Sequence, residues 1–317
     1  MTSCVEICAG AGGQSFGLEN AGFGHEALVE IEAPCCNTLR FNRPGWLVVE
    51  GDVCAFHGQR FKGIELLAGG VPCPPFSKAG KQLGKNDERD LFPEAMRLVD
   101  EIRPSAVMLE NVRGFLDAAF NDYRAELKST LNKMGYTVDW KLLNSSDFGV
   151  PQLRPRVIII AIKNELSEGF SWPKPSTTPA PTVGETLLDL MASNGWKGAL
   201  EWSNTANKIA PTIVGGSKKH GGPDLGPTRA KRAWAELGVD GMGIANEAPE
   251  SDFEGMPRLT VQMAARIQGF SDDWKITGKK TAAYRQVGNA FPPPVAEAVG
   301  RSIHKCLAKQ KHFSMAV

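Results

Sequence analysis

The chain has 317 residues, 42% of them hydrophobic and 22% charged, with a formal net charge of +1. This is the balance of an ordinary globular protein with room for one large domain, or a large one and a smaller companion. A net charge so close to zero neither requires nor excludes a polyanionic partner.

The N-terminus lacks the charged, apolar and small-residue pattern of a leader, and its first apolar run is too short to span a bilayer. No membrane role is expected. Seven cysteines, odd in number and irregularly spaced, argue against a disulfide framework and fit a reducing cytoplasm. Without a CxxC pair, and with scattered histidines, a metal site is not expected.

Residues 4–8 form a short apolar strand, followed by Ala9, Gly10, Ala11, Gly12 and Gly13 and a helical pattern carrying Phe16, Leu18 and Ala21. Strand, glycine turn and helix make the unit that holds a nucleotide-like cofactor, because small residues let the backbone approach it closely. Ser15 breaks the dinucleotide spacing G-x-G-x-x-G, so a tight turn between packed elements is the competing reading. A second strand, 27–31, ends at Glu30, Ile31 and Glu32, where a carboxylate commonly grips a ribose diol. Helix 34–42 leads to a third strand, 47–50, followed by Gly51, Asp52 and Val53, with Asp52 placed to accept from an exocyclic amine. Three strands in succession, each ending in Gly or an acid, predict a cofactor containing adenosine.

The fourth strand, 64–68, runs through Gly69 and Gly70 into Val71-Pro72-Cys73-Pro74-Pro75-Phe76-Ser77. Prolines at 72, 74 and 75 fix φ around Cys73, so its thiol sits on an inflexible elbow at the sheet edge where open α/β folds bind ligands. Cys73 is either a nucleophile or a small core hydrophobe in a turn. Residues 78–90 are polar and too long for a simple connection, which suits a functional loop closing over an anionic substrate. Helix 91–102 follows, then a fifth strand, 106–109, ending in Glu110, Asn111 and Val112 beside the strand that delivers Cys73.

Helix 121–134 and strand 138–143 lead to Gln152-Leu153-Arg154-Pro155-Arg156 and an apolar strand, 157–162. Two arginines alternating at a strand entrance point to one side and suit a phosphate or carboxylate. Prolines at 173, 175, 179 and 181 make 170–182 a linker, and 183–257 a separate small module with weak periodicity. From Arg154 to Arg232 there are 11 Lys and Arg against 6 Asp and Glu, with clusters at Lys218-Lys219 and Arg229-Ala230-Lys231-Arg232. Such a region is one anion-binding face or merely solvated surface. Residues 258–268 are helical, and the stretch 284–294 opens a last helix, 295–307.

The ordered blocks Gly10-Ala11-Gly12-Gly13, Gly69 to Ser77, Glu110-Asn111-Val112, Gln152 to Arg156, Arg266-Ile267-Gln268-Gly269-Phe270 and Gly288-Asn289-Ala290 resemble those of C5-type DNA cytosine methyltransferases of bacteria and phages. The resemblance spans Glu6 to Ile303. It implies a Rossmann-like α/β fold, a mostly parallel sheet with helices on both faces. A catalytic domain, 1–169, would precede a smaller, irregular target-recognition domain, 170–257, and the return segment 258–317 would complete the first domain with its last helix. It also implies methyl transfer from S-adenosylmethionine to C5 of a flipped-out cytosine in double-stranded DNA, leaving 5-methylcytosine and S-adenosylhomocysteine.

By that resemblance Cys73 adds covalently to C6, Glu110 handles a proton at N3, and Arg156 holds the O2 side of the base with Arg154 alongside. Ala9 to Gly13 would contact the cofactor through backbone, Glu30 its ribose, Asp52 and Val53 its adenine, Leu91 its methionine carboxylate, with Asn289 from the last block. Ser77, Lys218, Lys219, Arg229, Lys231 and Arg232 are the candidate DNA contacts. A monomer in the bacterial cytoplasm or nucleoid, or a phage product, is expected. A restriction endonuclease would act on the same site without direct contact.

The chain departs from the family pattern at several points. Glu6 stands where an aspartate is usual, Cys8 where an aromatic packs on the cofactor, Val71 where a second proline is common, and Pro74-Pro75 where glutamine usually follows the cysteine. None removes a reacting group, but Cys8 weakens the adenine-face contact. Three rivals are disfavoured. A transfer-RNA methyltransferase would carry a Cys-Phe-Thr-type insertion, an inactive DNA-binding homologue would lack Cys73, Glu110 or the arginines, and a Rossmann oxidoreductase would keep the glycine spacing.

Overall fold

The computed structural model describes residues 2–72, 90–215 and 223–314. Cys73, Ser77, Lys218, Lys219 and all but the end of the expected loop at 78–90 lie outside the described residues.

Seven strands form one sheet: β1 (Thr2–Ile7), β2 (Phe23–Glu30), β3 (Val48–Glu50), β4 (Leu66–Gly69), β5 (Ala106–Val112), β6 (Tyr136–Asn144) and β7 (Pro155–Lys163). Their order is β3-β2-β1-β4-β5-β7-β6. The first five strands run parallel, and β7 runs antiparallel to both of its neighbours. The chain winds outward from β1 to β3, then crosses back to lay β4 on the other flank of β1. That reversal leaves a crevice at the C-terminal ends of β1 and β4.

Helices α1 (Gly13–Asn20), α2 (Ala33–Asn42), α3 (Phe92–Ile102) and α4 (Asn121–Lys133) belong to this half. The central strands β4, β5 and β7 read as apolar runs because both faces of the sheet are covered there. Along β7, Val157, Ile159 and Ala161 join α3 and α4 on one face, while Ile158, Ile160 and Ile162 join α1 and the last helix on the other. The same two-residue alternation divides β4 and β5 between those cores. The doubly covered, mostly parallel sheet expected from the sequence is the one that forms.

The weakly periodic segment after residue 182 contains three helices, α5 (Val183–Met191), α6 (Ala199–Thr205) and α7 (Thr228–Ala235). Thr182 starts α5 with a reciprocal cap, accepting from Glu185 N at 3.2 Å while the Glu185 carboxylate accepts from Thr182 N at 2.7 Å. Next come α8 (Val261–Ile267), α9 (Lys280–Asn289) and α10 (Pro293–Ser314). The expected helix at 258–268 is thus shorter, because Thr260 caps it and Arg258 pairs instead with Asp240 at 2.7 Å. Helix α9 was not anticipated: its alanine-rich start offers little apolar periodicity. One buried cluster runs from Val183 to Ala290 and meets Ala9, Leu28 and Leu39 of the sheet half.

Helix α10 returns to the sheet and crosses α1 closely at Gly17. A Cβ placed there would stand 2.3 Å from the carbonyl oxygen of Pro293 and 2.6 Å from the Ala296 side chain. Gly17→Ala should therefore force backbone apart and cost about 1–3 kcal/mol. Urea unfolding checks this; an unchanged midpoint would mean that the two helices are not held this tightly.

Candidate active site

The crevice between β1 and β4 holds a cavity of about 430 Å3. Its floor is the turn after β1. Cys8 leaves the strand with φ +52, and Gly10 follows at φ +54. A Cβ on Gly10 would meet nothing within 4 Å, so its bare face borders open space and a ligand can approach the backbone. Ala11, Glu30, Glu32, Asp52, Val53, Leu91 and Asn289 also line this cavity. The structure thus brings together seven of the ten residues expected to hold a cofactor, although they come from the ends of β1, β2, β3, α3 and α9; Ala9 does not line the cavity. Gly12 and Gly13 do not line it; a Cβ on either would run into Trp274 or the Phe291 carbonyl, so they permit packing.

Glu30 shapes the turn as well as facing the cavity. Its carboxylate accepts from Gly10 N at 2.7 Å and from Glu32 N at 2.7 Å. Burial raises its pKa above the ordinary glutamate value, and the backbone hydrogen bonds from Glu32, Gly10 and Ile31 oppose the rise. Asp52 accepts from Cys54 N at 2.9 Å, which closes a 3-10 turn and holds its pKa below the usual aspartate value. Burial, reinforced by the charges of Glu30 and Asp52, pushes the Cys8 thiol up to about 12. Cys8 is therefore a neutral thiol at pH 7 and does not offer a competing thiolate.

Next to Gly70 on the cavity wall, β5 places Glu110. In the antiparallel register Val112 faces Arg156 and Glu110 faces Ile158, which makes Glu110 and Arg156 diagonal neighbours on one face. Arg156 Nε lies 2.6 Å from Glu110 Oε1, with both side chains about 15% exposed. Opposite them is Gly70, where a Cβ would come within 3.5 Å of Glu110 Oε2. The described chain then passes Val71 and stops at Pro72 on the cavity wall, one residue before Cys73. Asn111, to which the sequence reading gave no role of its own, is buried and donates to the Val71 carbonyl at 3.0 Å. It fixes the path of the chain at Val71, and Leu91 N donates to Pro72 O at 3.3 Å.

Of the two arginines, Arg156 meets a carboxylate of the kind expected, whereas Arg154 is 1% exposed and donates to the carbonyls of Ile213 at 2.6 Å, Gly288 at 2.9 Å and Ala290 at 3.0 Å. Burial pulls its pKa well below the usual guanidinium range, with the Arg156 charge adding to the effect. Gln152, another residue the sequence reading passed over, works beside it: it accepts from Ile213 N at 2.8 Å and donates to Gln268 Oε1 at 2.7 Å. A buried polar side chain in a loop was the available signal. Of the candidate DNA contacts among the described residues, Arg229 and Arg232 are exposed on α7, whereas Lys231 is paired with Asp224 at 2.7 Å.

A family model described as C-5 cytosine-specific DNA methylase matches residues 2–305. The chain belongs to this family. It is 58% identical over 309 residues to the Type II methyltransferase M.NaeI of Lentzea aerocolonigenes, covering 96% of this chain and 75% of that one. It is equally 58% identical to the Type II methyltransferase M.NgoMIV of Neisseria gonorrhoeae, covering 96% and 98%. The fold is similar to that of the Entamoeba histolytica methyltransferase EhMeth, with a TM-score of 0.69 at 15% identity over 97% of this chain and 99% of that one. The protein is a DNA (cytosine-5-)-methyltransferase, and S-adenosylmethionine is the methyl donor that the family implies. The cavity fits that donor chemically: carboxylates at the ends of β2 and β3 suit a ribose diol and a cationic tail, and the bare face of Gly10 leaves room beside the backbone. Among the described residues no helix is long and apolar enough to cross a membrane, and no three metal-ligating side chains gather.

Arg154→Lys should destabilise the methyltransferase, because an ammonium cannot reach three carbonyls that a planar fork spans. Each buried acceptor left unpaired costs about 1–3 kcal/mol. Thermal unfolding should show a clear drop, and retention of the wild-type midpoint would remove Arg154 from this buried role.

Proposed function

We propose that this methyltransferase modifies a flipped-out cytosine in a specific DNA duplex through a covalent bond from Cys73 to C6, releasing 5-methylcytosine and S-adenosylhomocysteine. The observation that carries the proposal is the Glu110–Arg156 pair, standing against Gly70 where the chain enters the Cys73 elbow.

Cytosine C5 is too poor in electrons to attack a methyl group unaided. Addition of the Cys73 sulfur at C6 forms an S–C6 bond and pushes the ring electrons toward C5, while Glu110 supplies or holds a proton at N3. Arg156 keeps the Glu110 carboxyl oriented and presents its remaining donors to O2. S-adenosylmethionine, when bound, supplies an electrophilic methyl group. Transfer of that methyl to C5 would leave the thioether product; the C5 proton would then pass to water, its electrons re-forming C5=C6 as the S–C6 bond breaks to return the thiolate, and N3 would give its proton back to Glu110. Glu30 would hold the ribose hydroxyls and Asp52 the adenine amine, with Gly10, Ala11, Val53, Leu91 and Asn289 closing around the cofactor. Cys8 leaves the adenine face with a small, uncharged contact.

Extruding the base costs a few kcal/mol of pairing and stacking, which contacts to the rest of the duplex must offset. The exposed Arg229 and Arg232 on α7, with Ser77, Lys218 and Lys219, are proposed to meet DNA, and residues 170–257 to read its sequence from the major groove. A monomer suits this asymmetric engagement.

A duplex carrying 5-fluorocytosine cannot release its adduct, since fluorine replaces the proton that must leave. With cofactor present it should give a conjugate that survives denaturation, absent in Cys73→Ala; a conjugate formed equally by that variant would overturn the nucleophile. Glu110→Gln keeps the shape of the side chain but not its proton. It should slow turnover roughly a hundredfold or more, and a near-normal single-turnover rate would refute the role given to the acid.

A further inference from the structure

We infer that Arg285 selects the cofactor by its amino-acid end, pairing its guanidinium with the carboxylate of the methionine moiety. The inference rests on the reading of this cavity as the cofactor site.

One face of α9 borders the cavity, presenting Ala282, Arg285, Gln286 and Asn289 at helical spacing. Of the two other polar residues on that face, Gln286 has other employment and Asn289 carries no charge. Gln286 is buried and spent: it accepts from Thr38 Oγ1 at 2.6 Å and donates to the Thr277 carbonyl at 2.8 Å. Asn289 lies against Gly215, where a Cβ would come within 2.4 Å of its Oδ1. Arg285 differs. Its Nε is buried with no hydrogen-bond partner, and half-burial leaves the rest of the side chain at the cavity. A guanidinium left in that condition is costly unless an anion completes it.

The charges lining the cavity say which anion. Glu30, Glu32 and Asp52 are acidic, and Arg285 is the one basic side chain in the lining among the described residues. S-adenosylmethionine carries two positive groups, the sulfonium and the α-ammonium, and one negative group, the α-carboxylate. A single cation in an acidic cavity is complementary to that carboxylate and to no other part of the molecule. A planar fork is the group that binds a carboxylate through two parallel hydrogen bonds.

The test compares two nucleosides by calorimetry on the full-length protein, without turnover. S-adenosylhomocysteine carries the carboxylate; 5′-methylthioadenosine has the same adenosine and thioether but lacks the amino-acid tail. Arg285→Met should weaken S-adenosylhomocysteine roughly tenfold to a hundredfold, the range for a lost charged hydrogen bond, and leave 5′-methylthioadenosine unchanged. Arg285→Lys should recover part of the loss. Equal losses for both nucleosides would assign Arg285 to packing of α9 and overturn the inference. So would undiminished S-adenosylhomocysteine binding together with weakened retention of a DNA duplex on a filter, which would give the guanidinium to a phosphate. If the wild-type protein bound neither nucleoside, the cofactor reading of the cavity itself would fall, and the inference with it.

Discussion

Three lengths of chain that are far apart in sequence meet on the guanidinium of Arg154. It holds the carbonyls of Ile213, Gly288 and Ala290 at once, and Gln152 takes the amide of the same Ile213. The loop before β7, the segment after Ala210 and the end of α9 are thereby one object. Buried backbone groups need partners, and here side chains supply what no sheet or helix does. The consequence is mechanical. Arg156, two residues on, enters β7 at a fixed height and meets Glu110 across the antiparallel pair, so a network with no place in the chemistry sets the geometry of the pair proposed to perform it.

The antiparallel insertion of β7 matters for a second reason. In a wholly parallel sheet the edge that carries the loops after β1 and β4 would be lined only by strand ends. Running β7 the other way brings the start of a strand, with Arg156, to that same edge. A basic side chain thus stands among acidic strand ends, next to the chain leading to Cys73. The cavity beside it is acidic at Glu30, Glu32 and Asp52, and Arg285 interrupts that sign from α9. This division of charge is what a zwitterionic, sulfonium-bearing molecule would meet.

Cys8 shows how a local departure is absorbed. Where the resemblance leads one to expect an aromatic, this chain has a half-buried thiol in a left-handed turn. Burial and two neighbouring carboxylates keep it protonated, so the cavity gains volume and loses a ring face without acquiring a second nucleophile. Glu6, another departure, is buried beneath the same turn, with its carboxylate 3.2 Å from His25 Nε2.

Much of this was readable from the chain. Apolar runs bounded by glycine or acid announced β1 to β5, and the helices between them, because the central strands β1, β4 and β5 are buried on both faces and so are written in apolar residues. The adjacency of β4, which leads toward Cys73, and β5, which carries Glu110, was also legible, as was the identity of the family, since both depend on residue types in a set order. Three things were not. Helix α9 has too little apolar periodicity to be seen, yet it supplies a wall of the cavity. Arg154 and Arg156, two residues apart in a basic motif, look equivalent in sequence and part company only when one is buried among carbonyls and the other meets a carboxylate. Arg285 reads as one more charge until the fold sets it among acids. The sequence alone determined which chemistry the chain can carry, because reactivity belongs to side chains. Tertiary structure decided which of two like residues carries it, because that depends on what each is buried against.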